Sequence, residues 1–314
     1  MARQVAILAV IVLYKRKFDQ SPALRSLRAS LMRLARTDDV RLKILIYENE
    51  SDATYTTEKA ENIEFYSSAD NAGLAAAYNY ALEKATMEGF DWLSTLDQDS
   101  TLPEHFLPQL ASILGQISER EEIAGVVPQV VSREHFISPH LLKRGRSIRL
   151  PAGFAGVAEG EVSAINSGMT WRTSALKGIG GFNVLFWLDY LDHWLFREIQ
   201  LSGKRIYVAG DIQVEHELSL LNRSAQLSTE RFENILAAES AFCDLYGDWR
   251  SGLAKTAGLI VRFGKLFIRG DTHLTRVMWH CLKSRMFVRR DTRVRQWRKA
   301  VSDRIGRVPA GTQE

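Results

Sequence analysis

Two cysteines in 314 residues, Cys243 and Cys281, are too few for a disulfide framework or a four-thiolate zinc site. A reducing cytoplasm is the expected compartment, and any metal must sit on oxygens and imidazoles. The chain also lacks GxxxxGK[ST], GxSxG, HExxH and zinc-finger spacing. Its densest glycine cluster, Gly178 to Gly181, neither follows the first strand nor precedes a basic cradle. Those absences remove P-loop, α/β-hydrolase, zinc-peptidase and dinucleotide-binding chemistry. With seven prolines, 46 % hydrophobic and 25 % charged residues, nothing points to a collagen-like, low-complexity or disordered chain. Long apolar runs are missing too: near the start, Val5 to Leu13 extends for nine residues, about half of a membrane span. Arg3 precedes this run as in an export signal, but Tyr14-Lys15-Arg16-Lys17 follows where small cleavage-site residues would stand. A buried parallel strand is the better reading.

What is present alternates. Leu24, Leu27, Leu31 and Leu34 behind Pro22 have helical spacing, and Leu42 to Tyr47 reads as a second strand running into Glu48-Asn49-Glu50-Ser51-Asp52. A short strand over Ile63 to Tyr66 leads through Asn71-Ala72-Gly73 to an alanine-rich helix, Leu74 to Thr86. Trp92 to Leu96 is the next strand and stops at Asp97-Gln98-Asp99. This order predicts an α/β fold: a Rossmann-like, mostly parallel sheet with helices on both faces and ligands at the carboxyl ends of the strands.

Further on, residues 104 to 115 read as helix and Ala124 to Val131 as strand, while 132 to 160 shows no clear period. Ile165 to Trp171 reads as strand, Ser174 to Leu176 as the start of a short helix, and Leu188 to Gln200 as helix. Arg205 to Val208 and Ile212 to Glu215 read as extended. From about Thr229 the pattern is helical until it frays near Pro309, so the expected domains are 1–228 and 229–314.

The net charge of +4 hides an asymmetry: Arg262 to Glu314 carries fourteen Lys/Arg against four Asp/Glu, a surplus of +10 that leaves −6 for the rest. Phe263, Leu266, Phe267, Trp279, Met286, Phe287 and Trp297 lie among these basic residues. Two readings stay open, a surface for an anionic membrane or nucleic acid and a packed helical appendage with a solvated basic face.

Three features could carry chemistry. Asp97 and Asp99, one residue apart at a strand end, suit Mg²⁺ or Mn²⁺; the plain alternative is a polar strand end, with Ser100 capping the next helix ahead of Pro103. Asp189 and Asp192 lie three apart on the expected helix, hence on one face, amid Trp187, Trp194 and Phe196. Partial desolvation there would make an aspartate a general base; the plain alternative is acidic residues at a helix N-terminus. His216, at a strand end, could add a neutral imidazole to the two aspartates.

In order along the chain stand Asn71-x-Gly73-Leu74-Ala75-Ala76-Ala77-x-Asn79, Asp91-Trp92-Leu93 running into Leu96-Asp97-Gln98-Asp99-Ser100, Gly180-Gly181-Phe182, Phe186-x-x-Asp189-Tyr190-Leu191-Asp192, and His216. This succession, over roughly residues 5 to 220, resembles family 2 glycosyltransferases of the GT-A fold, and within them the bacterial rhamnosyltransferase-like branch of surface polysaccharide synthesis. The resemblance implies nucleotide contacts from Leu13 and Tyr14, and base recognition by Glu48, where the family usually has Asp, with Asn49 beside it. It implies a nucleotide-sugar pocket lined by Asn71, Gly73, Asn79 and Gln98, and a Mg²⁺ or Mn²⁺ ion on Asp97 and Asp99 with His216 as an additional ligand. The catalytic base falls on Asp192, with Asp189 as the alternative; two positions after Asp192, where the pattern often has another acid, stands Trp194.

The implied reaction is inverting transfer from a nucleotide-diphosphate sugar, dTDP-rhamnose or a UDP-sugar, to a saccharide acceptor, lipid-linked at the inner face of the plasma membrane. The tail would then make peripheral contact with that anionic membrane. No nucleic-acid partner is expected on this reading. The competing readings are a sugar-phosphate nucleotidyltransferase, which also places a carboxylate pair after a βαβ unit, and a non-catalytic nucleic-acid-binding protein using the basic tail.

Overall fold

The computed structural model describes residues 4–34, 40–50, 62–68, 70–133, 135–143, 146–151, 153–216 and 228–305. Arg3, Ser51-Asp52 and the expected fray near Pro309 lie outside the described residues. The chain divides into two compact units, Met1–Asn183 with Asp192–Leu218, and Val184–Leu191 with Ser219–Glu314.

The first unit opens β1 (Val5–Tyr14), α1 (Pro22–Leu31), β2 (Val40–Asn49), β3 (Ile63–Ser68), α2 (Gly73–Met87), β4 (Trp92–Asp97), β5 (Ser100–Thr101), α3 (Phe106–Gln116) and β6 (Ile123–Ser132). It continues with β7 (His135–Ser138), β8 (His140–Lys143), β9 (Arg146–Arg149), β10 (Ala155–Val157), β11 (Glu161–Ser163), β12 (Met169–Arg172), α4 (Thr173–Gly178), α5 (Leu191–Leu201) and β13 (Arg205–His216). The main sheet runs β10-β13-β6-β12-β4-β1-β2-β3, with β5 beside β13 and β7 beside β6; β11-β8-β9 form a small second sheet. Its long pairings are parallel: β1 with β2 and β4, β2 with β3, and β13 with β6. Strand β12 is antiparallel to both neighbours, β4 and β6.

The β-branched run of β1 is buried on both faces, as a central parallel strand requires. Its odd-numbered positions, among them Ile7, Ala9 and Ile11, share a core with Leu24 and Leu27 of α1 and Phe106 and Leu110 of α3. The even-numbered Leu8, Val10 and Val12 are equally buried and face the side where α2 packs on β1, β2 and β4. Buried Ala75, Ala77, Ala81 and Ala85 let α2 approach the sheet closely. Helix α1 starts where Ser21 accepts a hydrogen bond from the Leu24 amide ahead of Pro22.

Several expectations need correction. The segment without period contains β7 to β10, short strands fixed by their pairing partners, β6, each other, β11 and, for β10, the distant β13, rather than by their own pattern. The strand expected from Ile165 begins at Met169, leaving Asn166-Ser167-Gly168 as a turn. The helix expected from Leu188 begins at Leu191, so Asp189 precedes it and the two aspartates do not share a helix face. Arg205 to Glu215 is one strand with a register shift between Ala209 and Gln213. Ser100 caps no helix; it lies in β5, and α3 begins at Phe106, where His105 at the N-cap makes no side-chain cap hydrogen bond.

The second unit consists of α6 (Thr229–Tyr246), α7 (Trp249–Ile268), α8 (Thr272–Phe287) and α9 (Arg290–Ile305), joined by Val184–Leu191. Ser228, Asp248 and Asp271 cap the first three helices. Leu236, Leu259, Met278 and Leu282 form its core, and Phe186 brings its ring to 5.6 Å from Phe242. Among the described residues no helix is long and apolar enough to cross a membrane.

Candidate active site

Strand β4 ends in Asp97, and the two-residue turn Gln98-Asp99 leads into β5, which pairs antiparallel with the end of β13. That pairing sets His216 opposite Ser100 and so returns a residue more than a hundred positions away to the aspartates. Strand β12 enters antiparallel along β4, which lays Asn166, Ser167 and Gly168 beside Asp97. The Gly168 amide donates to the Thr95 carbonyl at 3.0 Å. With φ of +73°, and with Val214 only 3.3 Å from where a Cβ would sit, this corner favours glycine.

Ser167 is the hub of the cluster. Its hydroxyl lies 3.1 Å from His216 Nδ1 and 2.9 Å from Ser100 Oγ, and donates to Asp97 Oδ2 at 3.4 Å. His216 Nδ1 is 3.5 Å from Asp99 Oδ1. The Asn166 amide donates to Asp97 Oδ1 at 3.4 Å and to the Tyr78 hydroxyl, which itself donates to Asp97 Oδ1 at 3.5 Å. Burial, then the charge of Asp99, then that of Asp192 push the Asp97 carboxyl well above the ordinary aspartate range; Ser167 and Asn166 partly offset them. Burial, followed by the Asp97 charge, likewise raises Tyr78.

Among the described residues, no three His, Cys, Asp or Glu side chains are gathered tightly enough to hold a metal ion as they stand. Ser167 nonetheless bridges Asp97 to His216, and Asp99 lies beside His216. Their donor set, two carboxylates and an imidazole, fits a hard divalent cation, and a cation would relieve the repulsion that raises Asp97.

The strand ends beside this cluster hold the residues expected to meet a nucleotide. The Tyr14 amide donates to Gln98 Oε1 at 2.9 Å and the Ser21 hydroxyl to the Gln98 carbonyl at 2.9 Å, so Gln98 ties β1 to the aspartate turn. Leu13 points its side chain into the core, leaving only its backbone for a ligand. Glu48 is buried and accepts from the Ser67 hydroxyl at 2.8 Å. Asn49 is buried beside it, donates to the Gly73 carbonyl at 3.5 Å, and leaves its Oδ1 without a hydrogen-bond partner. Asn71 Oδ1 accepts from the Gly73 amide at 3.1 Å, a local turn that sets the start of α2.

Asn79 clamps the backbone at Phe182. Its amide nitrogen donates to the Phe182 carbonyl at 2.8 Å and its oxygen accepts from the Phe182 amide at 2.7 Å. Gly181 sits against it with φ of +79°, where a Cβ would be 2.6 Å from Asn79 Oδ1.

The two candidate bases separate. Asp192 stands in the first turn of α5, accepts from the His193 amide at 2.9 Å, and acts electrostatically on Asp97 and Tyr78. Asp189 belongs to the helical unit, where its carboxylate pairs with Arg231 at 2.8 Å and accepts from Asn234.

Tyr78, Asn166 and Ser167 escaped the sequence reading. Asn-Ser-Gly is a turn signal that the strand assignment absorbed, whereas Tyr78 carries no local signal in its alanine-rich helix.

Residues 9–149 match the family model described as Glycosyl transferase family 2. No curated protein matches the chain significantly. Among solved structures the chain is similar to GalNAc-T7 with UDP, GalNAc and Mn²⁺, at 12 % identity and a TM-score of 0.56, over 90 % of this chain and 56 % of that one. It is also similar to the 1–349 segment of S. aureus TarS in complex with UDP-GlcNAc, at 14 % identity and a TM-score of 0.52, over 96 % of this chain and 90 % of that one. The chain thus spans little more than half of the GalNAc-T7 chain. At these identities the likeness is one of fold, which is GT-A-like with C-terminal helices.

Proposed function

We propose that this chain is an enzyme of glycosyltransferase family 2 that moves a sugar, with inversion, from a nucleotide-diphosphate sugar to a hydroxyl of a saccharide acceptor. The observation that carries the reading is the chain Asp97–Ser167–His216–Asp99 at the carboxyl edge of the parallel strands, with Asp192 near enough to act on Asp97. Asp192 takes the proton from the acceptor hydroxyl, and that oxygen attacks the anomeric carbon from the face opposite the diphosphate. The bond from the anomeric carbon to the diphosphate oxygen breaks as the new one forms, so no covalent sugar–enzyme species is needed. Asp97 and Asp99, with His216 beside them, would hold a Mg²⁺ or Mn²⁺ ion. Such an ion, when bound, neutralises charge on the departing diphosphate. Glu48 and Asn49 would read the base, and Tyr14, Asn71, Gly73 and Gln98 would shape the donor pocket from the ends of β1 and the start of α2.

UDP-sugars are the first donors to test, because TarS was solved with UDP-GlcNAc and GalNAc-T7 with UDP and Mn²⁺. dTDP-rhamnose stands beside them on the resemblance of the motifs alone. A lipid-linked acceptor in bacterial surface polysaccharide synthesis, at the inner face of the plasma membrane, accords with the basic helical region, 229–314, and its peripheral contact with anionic lipid.

Thermal-shift titration of UDP-GlcNAc, UDP-GalNAc and dTDP-rhamnose, with and without Mn²⁺, tests this on the native chain and on Asp99→Ala. Stabilisation that needs both Mn²⁺ and Asp99 is expected from at least one donor. A shift independent of both removes the cation from the reading; no shift from any nucleotide-sugar removes the donor site.

A further inference from the structure

Helices α7 and α8 contain no Asp or Glu at all. On one face of α7, Leu259 is fully buried in the helical core, with Phe263 and Leu266 packed against it. The side of α7 about a quarter-turn round from this core is not polar either. Trp249, Leu253, Ile260, Val261, Phe267 and Ile268 are each more than half exposed. The spacing of Trp249, Leu253, Ile260 and Phe267 puts these four on a single stripe along the helix. Exposed Arg250 borders this surface, while exposed Lys265 and Arg269 project from the far side of the helix. Helix α8 adds exposed Trp279, Met286 and Phe287 with Arg276 and Lys283 among them, and the Lys283 ammonium lies 5.2 Å over the Trp279 ring. Phe263 links the two helices, its ring 6.2 Å from that of Phe267 and 5.6 Å from that of Trp279.

A continuous apolar stripe of this length rarely faces water in a soluble monomer. Its charge selects the occupant. Two copies of an acid-free, basic-edged face would set like charge against like, and nucleic acid would use the basic edge but not the apolar stripe. An anionic bilayer takes both, since lipid phosphates meet the Lys and Arg side chains while apolar side chains enter below the headgroups. Neither helix is long and apolar enough to span.

We propose that α7, with the exposed side of α8, is an interfacial membrane helix. It inserts Trp249, Leu253, Ile260 and Phe267 into the headgroup–acyl boundary of an anionic bilayer. This goes beyond attraction by a basic tail: the apolar stripe holds the protein where salt screens the charges. The inference rests on the lipid-linked acceptor only for its purpose.

Flotation of the full chain with vesicles of phosphatidylethanolamine and phosphatidylglycerol, against vesicles of phosphatidylcholine alone, tests it at low salt and at about 0.5 M salt, where exposed charges are largely screened. Binding to the anionic vesicles is expected, with a measurable part surviving high salt. Leu253→Glu with Ile260→Glu is expected to reduce binding about tenfold or more, with the thermal midpoint and the donor-induced shift unchanged. Three results overturn the proposal: no flotation with anionic vesicles, equal flotation of the double variant, or a dimer in sedimentation that the double variant dissociates. Donor binding without vesicle binding overturns this inference alone, and vesicle binding without donor binding overturns the donor-site reading alone.

Discussion

Asp189 and Asp192 stand three positions apart and have different partners. The Asp189 carboxylate is held by Arg231 and Asn234, so its removal leaves a guanidinium and an amide short of an acceptor. Asp192 bonds within its own helix turn and puts its charge on Asp97 and Tyr78. Asp192→Asn should therefore lower kcat by about 10²- to 10⁴-fold, the usual worth of a positioned general base, while leaving donor affinity within a few-fold of native. Asp189→Asn should keep kcat within a few-fold and lower stability by about 1–2 kcal/mol. Kinetics and denaturant melts on the two purified variants separate the roles: an active Asp192→Asn beside a stable but inactive Asp189→Asn would exchange them.

At the scale of elements, an ionic box ties β2, β3 and α2 together. Lys43 pairs with Glu64 at 2.7 Å and Glu88 at 2.9 Å, and Lys84 with Glu64 at 2.6 Å and Glu88 at 2.9 Å. Burial alone would raise Glu64 and Glu88, but hydrogen bonds from both lysines and their charges outweigh it, so both carboxyls lie below the ordinary glutamate value. Lys43 and Lys84 are raised: burial opposes their charge, and the hydrogen bonds and charges of the glutamates prevail. The glutamate contribution to stability is thus complete above the unfolded value of about 4.3 and disappears as pH falls through the lower folded values. The lysine contribution is complete below about 10.4 and disappears as pH rises through the higher folded values. Between pH 5 and about pH 3 the native chain should lose more denaturation free energy than Glu64→Gln/Glu88→Gln, and equal acid slopes for the two would show the box to be inert.

Where an element carried its own period, the sequence was enough. The strands β1, β2 and β4 and the helices α1 and α2 are local patterns, and with them came the strand ends where Glu48, Asn49, Asp97 and Asp99 fall. Strands β7 to β10 were illegible because three- or four-residue pieces are specified by their partners. The meeting of His216 with the aspartates depends on a two-residue pairing with β5, which no local pattern encodes. Asp189 was misplaced because apolar residues on either side of the helix start extend the helical period past its true beginning at Leu191.

Across the whole molecule, the +10 of the C-terminal stretch overstates the charge open to a partner. Arg285 and Arg293 are turned inward onto Asp244, at 3.2 Å and 2.7 Å, and all three side chains are largely buried. Arg290 donates to the Asp244 and Gly247 carbonyls, and Arg262 to Glu239. Each of these cations therefore holds helix to helix. Those left on the surface include Lys265 and Arg269 of α7, and Arg276 and Lys283 among the exposed apolar side chains of α8. One composition thus serves two purposes that substitution can separate. Arg293→Gln leaves buried Asp244 with a weaker partner and should lower stability by about 3 kcal/mol, a loss read in denaturant melts. Its vesicle affinity per folded molecule should stay native. Arg276→Gln with Lys283→Gln removes two charges worth about 1 kcal/mol each at an anionic surface, so affinity for phosphatidylglycerol vesicles should fall at least tenfold at low salt with the melt unchanged. If instead Arg293→Gln weakened vesicle binding while the surface pair left it unaltered, the basic charge of this region would be acting through the interior of the helical unit and not through its face.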